Sequence, residues 1–531
     1  MKKRTIKFYA ALIMLFTALL TRVFFVMRGD DWRAALSTGR RYSVRLTQQR
    51  GDILDRAGAS LVDGESDVYA VCVPPLKSEY AVRRLAEAAG VSPERVAKAA
   101  EAGMPFAFRV NDRDLRLENV ALLEVPRRFP SDGVAAHIVG YVNGDGEGVS
   151  GIERAFDGVL AGGGSVNASV TVSARGRELT GAAVSRDGDG GRSAVALTID
   201  KNLSLMARAA FYSVEGNERG AVVVMDVRTG DLLACESFPD YDPNDVAGSL
   251  SDADAPLLNR AFAAFNIGSA FKIVTAASII EAGLEDFVHT CRGYVHVGGR
   301  DVGCHKEDGH GRVDLAAAFA GSCNPYFIKA ALSVGTDGLY DAAARFGIGR
   351  AYRLADGVVT DGGTLTERRS LSASAAVANF SIGQGDLMVT PVQTAVMVST
   401  AANGGLRPTP RLVTAIRDDA GDIIEAFDPA EPERVINSEV AEKLRELMVN
   451  AVENGTGAAA KPKVGGAGGK TATAQTGSFS ADGSRVNNAW FVGFWPADEP
   501  QYAIVVLCEN GSSGSRSAAP VFKLICDYLA S

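Results

Sequence analysis

The sequence predicts an α+β protein: an N-terminal membrane-spanning helix, a mixed polar region, and a C-terminal α+β domain. Three observations carry this. A 20-residue apolar run, Phe8 to Met27, follows the basic start "MKKRTIK". Strand-like stretches stand at both ends of the region from about 195 to 531. Helical stretches fill the sequence between them, so a sheet built from both ends of that region is the simplest arrangement.

The anchor comes first. Twenty residues in a helix just span a bilayer. No A-x-A-like cleavage site follows, so the run reads as an uncleaved anchor, not a signal peptide. Arg22 lies near the far end, where it can snorkel to the interface. Lys2, Lys3, Arg4 and Lys7 keep residues 1–7 in the cytoplasm, which puts the chain beyond about 28 outside. Residues 28–190 are mixed and polar, with short alternating stretches such as "VYAVCV". The Gly/Asp-rich piece Ser185 to Arg192 reads as a linker. "AVALTID" is a predicted strand and "KNLSLMARAAFYSV" a predicted helix. "RGAVVVMDVRTGDLLACESF" gives two strands around a turn at Thr229-Gly230. "AWFVGFWPADEPQYAIVVLCENG" reads as a hairpin turning between Pro496 and Pro500, and "SAAPVFKLICDYLA" as a closing helix.

Composition narrows the function. At 531 residues, length alone suggests about three or four domains. Hydrophobic content of 47% excludes wholesale disorder. A net charge of −8 with no long basic run argues against a nucleic-acid partner. Seven cysteines without a CxxC pair form neither a disulfide scaffold nor a zinc-ribbon array. The glycine run in "KVGGAGGKTATAQTG" imitates a phosphate loop. That motif needs four spacers between its first glycine and Gly469, and the required position, 464, is Val. "TATAQTG" also suits a strand better than the helix a phosphate loop opens, so no nucleotide is expected.

Chemistry gathers in three short motifs. In "FNIGSAFKIVTAASIIEAG", Ser269 stands at the first turn of a helix, with Lys272 three residues on and on the same face. A helix start offers N–H donors to a developing oxyanion. A serine nucleophile needs an adjacent base, and a desolvated lysine can supply it. Ser322 and Asn324, in "AAFAGSCNPYF", place a hydroxyl and an amide two residues apart on a loop between helices. Lys470 and Thr471 follow on the predicted strand. The order S-x-x-K, S-x-N, K-T-x is the set shared by penicillin-recognising serine acyl transferases.

At these residues the chain resembles the class B penicillin-binding proteins, the membrane-anchored transpeptidases of bacterial cell-wall synthesis. "RGDILDRAG", "AAHIVGYV…GVSGIERAFDGVLAG", "SIGQGDLMVTPVQTA" and "GGKTATAQ" follow in the family's order, with the division, elongation and sporulation members closest in kind. The resemblance implies a pedestal or dimerisation-like domain over 28–190 and a transpeptidase domain over 195–531, an antiparallel sheet flanked by helices. Ser269 would attack the penultimate D-Ala of a stem peptide. Lys272 would be the acylation base, Ser322 a proton relay, and Asn324 a holder of the substrate amide. Lys470 and Thr471 would bind the terminal carboxylate, and the N–H groups of Ser269 and Thr473 would form the oxyanion hole. β-Lactams would acylate the same serine. A polytopic glycosyltransferase is the partner such proteins usually have. The chemistry needs no cofactor. One departure stands out: the family's Lys-Thr-Gly reads Lys-Thr-Ala here. Because residues i and i+2 share a strand face, Ala472 is expected to point into the cleft beside Lys470, a small enough intrusion to leave activity, with β-lactam affinity open.

Two other functions compete, a β-lactamase-like hydrolase and a catalytically silent scaffold or receptor. The first lacks a convincing carboxylate motif for deacylation, and the intact Ser269/Lys272/Ser322/Lys470 set argues against the second. A separate cluster, Cys291, Cys304, His310 and Cys323, falls within 33 residues. "YVHVGG" with "DVGC" reads as a hairpin that brings Cys291 and Cys304 together. A structural zinc, a Cys291–Cys304 disulfide and unlinked thiols are all open readings.

Overall fold

The computed structural model describes residues 2–28, 41–62, 64–131, 133–172, 179–187, 193–479, 483 and 485–531. Helix α1, Lys2–Arg28, contains the apolar window Lys7–Phe24. Its 27 residues reach about 40 Å at 1.5 Å per residue, enough to cross a bilayer.

The chain divides into two compact units. The first comprises 1–50, 64–127 and 163–190. In it, strands β1 (Arg41–Gln48), β2 (Ser66–Cys72), β3 (Phe106–Val110), β4 (Val120–Pro126), β5 (Ser165–Val172) and β6 (Leu179–Asp187) form two antiparallel sheets, ordered β3-β2-β4 and β1-β5-β6. Helices α2 (Glu79–Ala89) and α3 (Pro93–Glu101) start on the side-chain caps Ser78 and Ser92. They bury Leu85, Ala86 and Val96 against Val68, Ala70 and Cys72. The "VYAVCV" alternation is thus strand β2, whose two faces feed two small cores.

The second unit comprises 51–63, 128–162 and 191–531. The sequence assigns 28–190 to one domain, but packing divides that stretch. Ile53–Leu54 pairs in parallel with the strand Ala194–Leu197, and Phe129, Ile138, Ile152 and Leu160 join the core of the second unit. Hydrophobic burial here follows contacts too distant in sequence for local patterning to reveal. Of the expected linker, Ser185–Asp187 end strand β6, and 188–192 lie outside the described residues.

The sheet of the second unit is built from both of its ends, as expected. Strands β7 (Gly220–Asp226), β8 (Leu232–Phe238), β9 (Gly468–Phe479), β10 (Arg485–Trp495) and β11 (Tyr502–Glu509) run antiparallel in the order β8-β7-β11-β10-β9. One face buries Val222, Val224, Phe491 and Val506 beneath α4 (Lys201–Tyr212) and the closing helix (Ala519–Leu529). The other buries Val223, Met225, Trp490 and Val505 against a helical layer. That layer contains α5 (Lys272–Glu281), α6 (Leu315–Ala320), α7 (Asn324–Val334) and α8 (Ser438–Asn454). The glycines of the misleading phosphate-loop motif serve the sheet: a Cβ on Gly469 would sit 2.5 Å from the Phe491 ring. Strand β9 is an edge strand, which leaves one side of it free to face a cleft.

Candidate active site

A cleft of about 790 Å³ lies along β9. Its wall includes Ser269, Ser322, Asn324, Thr471, Ala472 and Thr473, which the sequence brought together only as motifs. Ser269 sits in a 3-10 turn, Gly268–Phe271, that runs directly into α5. The turn depends on Gly268, which has φ +56° and donates its N–H to Gly383 O at 3.0 Å. A Cβ there would also lie 3.0 Å from the Cβ of Ala474 on β9. The "SIGQG" segment therefore packs the nucleophile turn, and Ile382, Gln384 and Gly385 line the cleft beyond it.

Lys272, one turn after Ser269, is fully buried. Its Nζ donates to Ser322 O at 2.8 Å and to Asn324 Oδ1 at 2.6 Å, and lies 3.2 Å from Ser322 Oγ. Burial pushes its pKa down to about 7, against a smaller opposing pull from the Cys304 and Cys323 sulfurs. A neutral amine has two N–H groups and one lone pair. The two carbonyl acceptors use both N–H groups, and the lone pair faces the Ser322 hydroxyl. Ser322 reaches this position at φ +53°, a strained value for a residue with a side chain. Asn324 opens α7 and is held from the other side, its Nδ2 donating to Gly303 O at 3.1 Å.

Lys470 departs from expectation. It is fully buried, its Nζ donates to Thr471 O at 3.2 Å, and the ammonium lies 5.8 Å from the Phe319 ring centre. It is not among the residues on the cleft wall; Thr471 and Thr473 are. Burial, reinforced by the nearby Lys272, holds its pKa well below the usual lysine range. Lys470, Ala472 and Ala474 share the face turned to the helices, where the long Lys470 side chain carries its Nζ to the Phe319 ring, and Thr471, Thr473 and Gln475 take the other face. Ala472 does sit beside Lys470 and lines the cleft, but only 3% of it is exposed, so its methyl intrudes little.

Residues 220–527 match the family described as penicillin binding protein transpeptidase domain. The chain is 32% identical over 427 residues to penicillin-binding protein PbpB of Mycolicibacterium smegmatis, covering 76% of this chain and 64% of that one. It is 31% identical over 430 residues to peptidoglycan D,D-transpeptidase PbpA of the same organism, covering 74% and 82%. The chain thus spans just under two thirds of the first relative and most of the second. It also superposes on penicillin-binding protein A of Mycobacterium tuberculosis in its imipenem acyl-enzyme complex, with TM-score 0.68, 25% identity, and coverage of 91% and 99%. The chain is a class B penicillin-binding protein.

In this penicillin-binding protein the cysteine cluster stands directly behind the Ser322–Asn324 loop. The strands Tyr294–Val297 and Arg300–Gly303 form the expected hairpin. The ligand atoms of Cys291, Cys304, His310 and Cys323 all lie within 4.8 Å of one another. Cys304 Sγ is 3.5 Å from His310 Nδ1. Hydrogen bonds from Cys323 and His305 lower the pKa of Cys304, and the same pairing raises that of Cys323. All seven cysteines are free, so no Cys291–Cys304 bridge is formed. Three sulfurs and one imidazole suit a closed tetrahedral zinc site, in which neighbouring ligand atoms stand roughly 3.5–3.8 Å apart.

Sequence reasoning missed several wall residues: Asn379, Gln384, Thr456, Ser513 and Ser515. Gln384 stood in a quoted motif without a role. Gly514 N–H donates to Thr473 Oγ1 at 3.3 Å, so the start of the closing helical segment reaches the substrate strand. No local signal marks that contact.

Proposed function

We infer that this chain is a peptidoglycan D,D-transpeptidase that crosslinks stem peptides through an acyl-enzyme on Ser269. One observation carries the reading: a fully buried Lys272 one turn from Ser269, its N–H groups held by Ser322 O and Asn324 Oδ1 and its lone pair facing the Ser322 hydroxyl. Lys272 takes the Ser269 proton as Oγ attacks the carbonyl carbon of the penultimate D-Ala. The backbone N–H groups of Ser269 and Thr473 receive the oxyanion. As the tetrahedral species collapses, a proton passes from Lys272 through Ser322 Oγ to the departing amine, and the terminal D-Ala leaves. The amine of a second stem peptide attacks the ester, restores Ser269 and forms the crosslink. β-Lactams acylate the same oxygen. Asn324 holds the substrate amide and Thr471 meets the terminal carboxylate. Lys470, behind the strand, acts on the site through the position of Thr471, whose carbonyl it holds.

Transfer is favoured over hydrolysis because no carboxylate stands among the described wall residues to activate a deacylating water. The helix α1 anchors the chain in the membrane with residues 1–7 in the cytoplasm, a reading supported by the basic residues before the apolar window. The anchor and the first unit offer the surfaces for a polytopic glycosyltransferase. Cys291, Cys304, His310 and Cys323 hold a structural zinc, which supplies rigidity and no chemistry of its own.

The test is acyl exchange. A donor ending in D-Ala-D-Ala, incubated with excess labelled D-amino acid, should give a product carrying the new terminal residue. Hydrolysed tetrapeptide alone would reject transfer, and no turnover with a Ser269 adduct would favour a silent scaffold.

A further inference from the structure

The wall residue Thr456 joins two parts of the site that are distant in sequence. It follows helix α8, whose C-cap is Gly455. Its N–H donates to Ala320 O at 3.0 Å, at the end of α6 and two residues before Ser322. Its Oγ1 lies 2.7 Å from Thr471 Oγ1 on β9. The approach to α6 requires glycine at 455, where a Cβ would collide with the Ala320 carbonyl. Three segments, 320–324, 455–456 and 470–473, are thereby fixed to one another along one side of the cleft.

The hydroxyl pair can be ordered in two ways. A hydroxyl carries one proton. If Thr471 donates to Thr456, only lone pairs of Thr471 face the cleft, and they repel an anion. If Thr456 donates to Thr471, the Thr471 proton remains for the substrate, and the chain of two hydrogen bonds strengthens toward a negative acceptor. The question matters because Lys470 is off the wall, so the Thr471 hydroxyl must offer its own proton if it is to meet the terminal carboxylate. We propose that Thr456 is a positioning residue for carboxylate recognition: its hydroxyl donates to Thr471 Oγ1 and aims the Thr471 proton at the terminal carboxylate of the stem peptide. This rests on the reading that Thr471 meets that carboxylate.

The test uses the full chain in detergent and two thioesters that differ in one group, an N-acyl-D-alanyl thioglycolate and the matching thioglycolamide. Thiol release gives kcat/KM for each. The wild type should prefer the carboxylate ester. Thr456→Val should lower that preference about tenfold, the worth of one hydrogen bond to a charged group. The loss should appear in the carboxylate ester alone, and Thr456→Ser should restore it. Thr456→Ala reads the same ratio if valine does not fit. In a Thr471→Val background, changing Thr456 should add nothing. An unchanged ratio in Thr456→Val and Thr456→Ala, or equal losses for both esters, overturns the proposal alone. A wild type that treats both esters alike overturns the reading of Thr471 and the proposal with it.

Discussion

Replacing Lys272 with methionine should make the protein more stable at neutral pH and less stable in alkali. The magnitude follows from burial. A lysine whose pKa falls from 10.5 to about 7 on folding costs about 5 kcal/mol whenever it is fully protonated in both states. Methionine removes that cost and fills a similar volume. It also removes the contacts to Ser322 O, Ser322 Oγ and Asn324 Oδ1, worth about 1 kcal/mol each. The net gain at pH 7 is about 2 kcal/mol, a rise in Tm of roughly 4 °C. The sign with pH follows from linkage. Between about pH 7 and 10.5 the unfolded wild type binds the extra proton, so wild-type stability rises with pH by about 1.4 kcal/mol per unit. The advantage of Lys272→Met therefore shrinks through this window and reverses near about pH 8.5; below about pH 7 it is constant. Removing Lys272 also eases protonation of Lys470, which acts in the same direction. Differential scanning calorimetry of both proteins from pH 6 to 10 measures the effect. A Tm difference independent of pH would refute the depressed pKa and with it the neutral base. The variant should acylate at no measurable rate, and wild-type acylation should climb through about pH 7 to a plateau.

Three further outcomes follow from the same geometry. Ala472→Gly should change the second-order rate of benzylpenicillin acylation by less than about threefold and cost about 0.5–1 kcal/mol of stability, because the methyl is almost wholly packed and glycine is unfavourable in a strand; a change above tenfold would show that the methyl blocks the cleft. Protein purified without chelator should carry one zinc per chain by elemental analysis, and Cys304→Ser should lose it and slow acylation about tenfold, since the Gly303 carbonyl holds Asn324; metal-free wild type with seven titrating thiols contradicts the site. A chain lacking residues 1–40 should stay in solution and be acylated at the full-length rate, because every described wall residue belongs to the second unit; loss of acylation in folded protein would contradict the separation of anchor from chemistry.

Much of the site was legible because its chemistry is concentrated in short motifs. Ser269 and Lys272 sit one helical turn apart, and a local pattern is enough to see that. The hairpins β7–β8 and β10–β11 were legible for the same reason, since β-branched runs and turn residues alternate locally. What escaped depends on contacts between distant segments. The return of 51–63 and 128–162 to the second unit rests on burial against strands some 140 residues or more away in the case of Ile53 and Val195. Strand alternation puts Lys470 and Thr471 on opposite faces, but the burial of Lys470 beside Phe319 depends on a helix about 150 residues earlier, which no local pattern shows. The φ of Ser322, the hold of Gly303 on Asn324 and the Thr456–Thr471 pair carry no sequence signature at all. The cysteine cluster lies between: its hairpin could be read from the turn glycines, while the arrival of His310 and Cys323 at the same point could not.

Ser269 is the residue that carries the acyl group, and mass spectrometry tests it directly. Full-length protein should be incubated with an N-acyl-D-alanyl thioester or a reactive β-lactam, quenched in acid, and analysed by intact-mass and peptide-mapping mass spectrometry. One adduct per chain is expected, on the peptide containing Ser269, absent in Ser269→Ala although that variant keeps the wild-type Tm within about 2 °C. An adduct that persists in Ser269→Ala, or maps to another residue, would contradict it.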